Sequence, residues 1–207
     1  MASTDSSVRF RRFANPATGE SIEFIAGAQP GAEDVVRFNW LSTPGGAITE
    51  HVHPRQEERF TILEGEAHFT LNGEDRVVGP GETLVVPVGV RHSESNQGSV
   101  EIKGVVELRP ALNSRQMHEA FGGLAAEGKT TLRGAPKNPL QLGATLWHFR
   151  HESRVTSPPI WVQNLVLPPL SAVAKLVGVR PYHERWDTRV LQPSEVTTAP
   201  PVGSRAD

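Results

Sequence analysis

The sequence predicts a mainly β protein: an antiparallel β-barrel of the jelly-roll kind with a small all-helical C-terminal extension. Three observations carry this prediction. Between residues 20 and 110, run after run alternates apolar with polar residues, the period of strands that bury one face. The breaks between these runs are short and rich in Gly and Pro, with no helical period between them, which favours a closed barrel or jelly roll over a sheet covered by helices. Past Pro110 the composition changes and apolar residues fall at helical spacing.

At 207 residues the chain has room for one well-buried domain and an appendage. The expected division is an N-terminal arm over 1–19, the barrel over 20–110, the helical extension over 111–191 and a disordered tail, rich in Pro, Ser, Thr and Ala, over 192–207. Residues 1–14 are polar and basic and are expected to be mobile unless 8–13 adds an edge strand to a neighbour. A turn follows at NPATG (15–19), a strand at SIEFI (21–25), a loop over 27–34 and a strand at VVRFNWL (35–41) with Val36, Phe38 and Trp40 on one face. TPGG turns the chain into a histidine-bearing strand, and ERFTIL forms the next. The segment AHFTLNGEDRVV is a hairpin whose two arms flank Asn72-Gly73, a pair that favours a type I′ turn. GPGE at 79–82 is a second tight turn leading to the continuous apolar run TLVVP, and VEIKGVVELR is the closing strand.

In the extension, 112–126 has helical spacing with Asn113 or Ser114 as N-cap and Gly128 past its end. A second helix is expected over 140–149, entered through Pro139, and a third over 170–177, between Pro168-Pro169 and Gly178. The apolar stretch 160–179 approaches spanning length but holds two consecutive prolines, Gln163, Asn164 and Lys175, so no integral membrane span is expected. These helices are expected to pack on the barrel or on a second subunit.

Composition removes several classes of function. There is no cysteine, so disulfides, thiolate catalysis and sulfur-ligated metals are out. With 21 basic against 23 acidic residues and no long block of one sign, no nucleic acid partner is expected. The opening MASTDSSVRFRRF lacks the apolar run of a signal peptide, so a cytoplasmic location is the expectation.

The chemistry gathers between Gly45 and Asn96. His51 and His53 lie two apart on a strand and leave one face. Glu58 opens the next run, and His92 follows the breaker Pro87-Val88-Gly89. Three imidazoles and a carboxylate brought to one point would suit a divalent first-row metal (Fe, Mn, Ni, Co, Zn or Cu) better than Ca or Mg.

The spacing of these residues is similar to that of a known superfamily. Gly45, His51, His53, Glu58 and Gly65, followed by Gly81, Pro87, Gly89, His92 and Asn96, resemble the two signature motifs of the cupins, over roughly residues 15–110. The resemblance implies a small barrel in which His51, His53, Glu58 and His92 stand at the four metal-ligand positions around one divalent transition metal. It also implies a small-molecule substrate. Cupins include oxygenases, isomerases, cyclases, lyases and non-catalytic binding modules. The expectation is a metal-dependent enzyme on a small organic substrate, foremost an oxygenase, acting as a homodimer; a non-redox isomerase, cyclase or lyase, or a binding module, is the alternative. Thr49 shares a face with His51 and His53, while Phe60 and Ile62 share one with Glu58, so all three are expected to line the substrate cavity. Glu94 shares parity with His92 and is the candidate catalytic base beside the metal.

Overall fold

The computed structural model describes residues 9–25 and 34–190. The expected tail, the first residues of the arm and nearly all of the expected 27–34 loop lie outside that range.

Among the described residues, thirteen strands and three α-helices follow one another in the order strands, then helices, with short strands in the C-terminal part. The strands are β1 (Arg9–Phe10), β2 (Phe13–Asn15), β3 (Glu20–Phe24), β4 (Val36–Ser42), β5 (Ala47–Val52), β6 (Glu57–Glu64), β7 (Ala67–Leu71), β8 (Glu74–Val78), β9 (Thr83–Val86), β10 (His92–Ser95), β11 (Ile102–Arg109), β12 (Arg154–Val155) and β13 (Arg189–Val190). The helices are α1 (Ser114–Ala126), α2 (Pro139–His148) and α3 (Ile160–Leu176). All strand pairs are antiparallel, and the larger sheets run β2-β3-β4-β11-β6-β9 and β12-β5-β10-β7-β8. The fold is thus mainly β, a two-sheet jelly roll with a helical C-terminal part.

Strict alternation places the barrel core. Ile22 and Phe24 on β3, Val36, Phe38 and Trp40 on β4, Phe60 and Ile62 on β6 and Phe69 on β7 are buried in one cluster between the sheets. The hairpin turn has φ of 49° at Asn72 and 90° at Gly73, the two left-handed residues that a type I′ turn needs. Main-chain bonds tie the two ends of the sequence motif together, Gly45 N–H to Asn96 C=O and Asn96 N–H to Gly46 C=O, each 2.9 Å. Asn96 is a structural clamp, since its side-chain amide also donates to the carbonyls of Ser42 (2.9 Å) and Val100 (2.8 Å).

Three expectations need correction. First, the arm pairs within its own chain: Arg9–Phe10 lies against Arg189–Val190, and Phe13–Asn15 edges the six-stranded sheet. Glu119, buried on α1, anchors this return by accepting from Arg115 (2.7 Å), Tyr182 (3.0 Å) and the Thr188 hydroxyl (2.7 Å). Second, the third helix begins at Ile160, ten residues early, and runs through Pro168-Pro169. The two missing N–H donors free carbonyls on Asn164 and Leu165, both of them exposed residues, so water can take their place. Third, α3 packs chiefly on α2, while Gln163 donates to the Val155 carbonyl (2.8 Å) and Asn164 accepts from Arg154 (2.7 Å) of β12. Gln163, Leu167 and Ala174 are its buried residues, and Gly143 on α2 lets Leu170 approach so closely that an added Cβ would overlap it. The opposite face carries exposed Trp161 (70%), Leu165 (70%) and Leu176 (86%).

Candidate metal centre

His51 and His92 stand directly opposite each other on β5 and β10, with ring centroids 4.2 Å apart. His53 follows just after β5, and Glu58 reaches in from β6 of the other sheet. The donor atoms of His51, His53, Glu58 and His92 all lie within 4.8 Å of one another. His53, Glu58 and His92 are buried and His51 is half-buried.

Each imidazole is fixed through its Nδ1. That atom donates to the carbonyl of Thr49 from His51 (3.0 Å), of Glu152 from His53 (2.5 Å) and of Val90 from His92 (3.1 Å). A carbonyl can only accept, so Nδ1 carries the proton and the Nε2 lone pair is left for the centre. The same arrangement orients metal-binding histidines generally.

The donor set fits a cation. Glu58 Oε2 lies 2.9 Å from His92 Nε2 and 3.1 Å from His53 Nε2. The His53 atom is off hydrogen-bond geometry and has no partner, although it is buried. A buried carboxylate oxygen this close to two imidazole nitrogens calls for positive charge between them, from protons or from a cation. Donors ~2.1 Å from one ion stand about 3 Å apart when adjacent, which is the spacing found. The titration directions agree. Burial alone would drive Glu58 up, yet its two histidine neighbours bring it well below the usual carboxylate range. Burial opposes charge on His53 as well, but Glu58 and the Glu152 carbonyl outweigh it and raise that imidazole. Burial, with His53 and His92 nearby, pushes His51 well down.

The centre opens on a cavity of about 600 Å³. Thr49 and Phe60 line it, as does Glu94. Ile62 does not: it is fully buried in the core cluster, two residues further along β6 than Phe60. Thr49 itself escapes simple parity. β5 and β10 pair His51 with His92 but Ile48 with Glu94, three residues against two, so a bulge at Thr49-Glu50 turns Ile48 inward and leaves Thr49 exposed at the rim. The carboxyl of Glu94 is buried with its Oε2 unpartnered, and burial, helped by the charges of Glu20 and Glu58, holds it well above its usual range.

Three contributors were not singled out from sequence. Glu20 on β3 lines the cavity with a buried carboxylate that accepts from Trp40 Nε1 (2.7 Å) and Thr18 Oγ1 (2.9 Å), and burial pushes it up to about 7. Its signal was available, since Glu20 shares parity with the buried Ile22 and Phe24. His118 comes from α1, and Glu152 acts through its main-chain carbonyl, which has no sequence signal at all. His148 and His151, spaced for a helix face, take no part in the cluster.

A double-sheet antiparallel barrel with a centre able to hold one metal ion at the wall of an apolar cavity defines the class of protein. Residues 40–106 match the family model described as a cupin domain. The chain is 36% identical over 70 residues to a polyketide synthase protein, CurC, of Streptomyces cyaneus, covering 34% of this chain and 46% of that one. It is 34% identical over 105 residues to germin-like protein 3-3 of Oryza sativa subsp. japonica, covering 46% of each. Among solved structures, a recombinant oxalate oxidase in complex with glycolate is 30% identical with a TM-score of 0.40, over 45% of this chain and 52% of that one. The chain spans less than half the length of these curated relatives.

Proposed function

We propose that this chain is a metal-dependent enzyme that acts on a small, flat, largely apolar substrate with two chelating oxygens, and that its reaction is an oxygenation. The observation that carries this reading is the four-donor cluster set in the wall of a roughly 600 Å³ cavity with mainly apolar lining. His51, His53, Glu58 and His92 would hold the ion, and four donors on a six-coordinate ion leave two positions open. A bound Fe, Mn, Co, Ni or Cu ion supplies electron exchange with dioxygen, and Zn supplies Lewis acidity alone. Three neutral imidazoles and one carboxylate leave a divalent ion with one net positive charge, so this donor set selects anionic chelates such as enolates and catecholates over neutral amides. Phe38, Trp40, Phe60 and Val106 line the cavity and keep water from it. We include in the proposal that the chain works as a homodimer.

One observation favours a second, redox-silent reading as isomerase, cyclase or lyase. Glu20 and Glu94 place two buried carboxyls in the same cavity, where each can deliver or hold a substrate proton.

Elemental analysis of the purified protein, followed by oxygen uptake after anaerobic loading with each metal, tests the proposal. Oxygen consumption with a chelating phenol, diketone or enol, lost in His92→Ala, is the expected result. Full turnover with Zn or without oxygen would replace oxygenation by Lewis-acid chemistry. Ligand binding without turnover under any metal would leave a non-catalytic binding module. Sedimentation as a 22.5 kDa monomer would reject the dimer.

A further inference from the structure

His118 sits on α1, outside the cupin motifs, and its ring lines the same cavity as the metal centre. Its Nδ1 donates to the Ser114 carbonyl one turn back at 2.7 Å, so the proton is committed there and Nε2 carries a lone pair. Phe38 (ring centroids 4.9 Å) and Phe24 (6.3 Å) pack against the imidazole and fix its plane. Nε2 has no hydrogen-bond partner among the described residues, and it does not belong to the four-donor cluster. Burial pushes His118 below its usual value, so the ring is neutral and accepting at physiological pH.

A fixed, neutral acceptor with no protein partner, half-buried in an apolar wall, is bound by water until a donor arrives with the ligand and takes the water's place. Met117, Phe121 and Phe149, from the same helical part of the chain, surround it in the cavity lining. We propose that His118 is a substrate-binding residue whose Nε2 accepts a hydrogen bond from a neutral hydroxyl on an aromatic or enolic ligand. The helical part of the chain then specifies the ligand, while the barrel supplies the metal donors. This rests on the cavity being the ligand site and does not depend on which metal, if any, is bound.

The probes 2-naphthol and 2-methoxynaphthalene differ in the hydroxyl donor, which the ether replaces with a methyl group, and neither can chelate. Fluorescence titration of the full-length protein should show naphthol binding about fivefold more tightly than the ether, the effect of one net hydrogen bond. In His118→Phe, which keeps an aromatic ring against Phe38, that ratio should fall to about one with metal content and melting unchanged. In ¹⁵N-labelled wild-type protein, the His118 Nε2 resonance should move on adding naphthol and stay put with the ether, a readout that needs no variant. A preference that survives in His118→Phe, an unmoved Nε2 resonance, or no saturable naphthol binding would each overturn the proposal. Elemental analysis of the same wild-type samples reads the metal proposal separately.

Discussion

The Nδ1 proton of His53 goes to the main-chain carbonyl of Glu152, 99 positions later, at 2.5 Å. The carboxylate of Glu152 is itself held by Asn113, whose main-chain and side-chain amides both donate to Oε1 (3.1 and 3.0 Å). Next along the chain, Arg154–Val155 pairs with Val52 and His51 on β5. The helical part of the chain therefore orients one histidine of the cluster and adds an edge strand beside β5. A chain ending at Arg109 should bind metal about 10–100-fold more weakly, the usual effect of losing an orienting partner, and should be less soluble or change its oligomeric state. Equal metal content, melting and sedimentation in both forms would refute this.

Replacing any of the three metal-site histidines by alanine should lower metal content at least tenfold in His51→Ala, His53→Ala and His92→Ala. Glu58→Gln should lose less, because an amide oxygen can still ligate while the charge is gone. Binding should also weaken below about pH 6, as protons compete for the imidazoles. Elemental analysis after dialysis measures all of this, and full metal in all three alanine variants would show the cluster is not the site.

Glu20 sets a pH dependence of stability. Burial lifts its carboxyl from 4.5 to about 7, so the folded state holds this proton more tightly than the unfolded chain does. Its contribution is fully present below about 4.5 and is lost as pH rises through about 7. Glu20→Gln should thus melt several degrees higher than wild type at pH 8, on the scale of ~2–4 °C per kcal/mol for a domain of this size. At pH 5 the gain should vanish. Parallel melting curves for the two proteins from pH 4.5 to 8 would disprove it.

Gly143→Val should separate α2 from α3, since the new side chain has Leu170 in its way. Overpacking of this kind costs about 1–3 kcal/mol. Thermal melting should fall, while metal content stays at the wild-type level because neither helix carries a metal donor. A variant that melts like wild type would mean that the two helices are free to move apart.

How far the sequence alone led depended on the range of each interaction. Alternation of Ile22, Phe24, Phe38, Trp40, Phe60 and Phe69 fixed the barrel faces, because strand parity is local. Asn72-Gly73 announced its turn for the same reason. Parity failed where depth mattered, at Ile62, because depth leaves no local mark. The start of α3 was misplaced because Pro168-Pro169 reads as a stop, whereas packing of Leu167 and Ala174 against α2 carries the helix through. Glu152 could not be found at all, since what it offers is a backbone atom.

Three of the donors belong to the five-stranded sheet or its adjoining loop, and Glu58 belongs to the six-stranded one. An ion between them would act as a rivet through the sandwich. Breathing of the two layers, the motion by which a bulky guest would enter, would then be slow when the rivet is in and quick when it is out. Hydrogen exchange at the amides of β6 and β10 would record this mechanical role directly, and loading with metal would set how fast the barrel admits its guests.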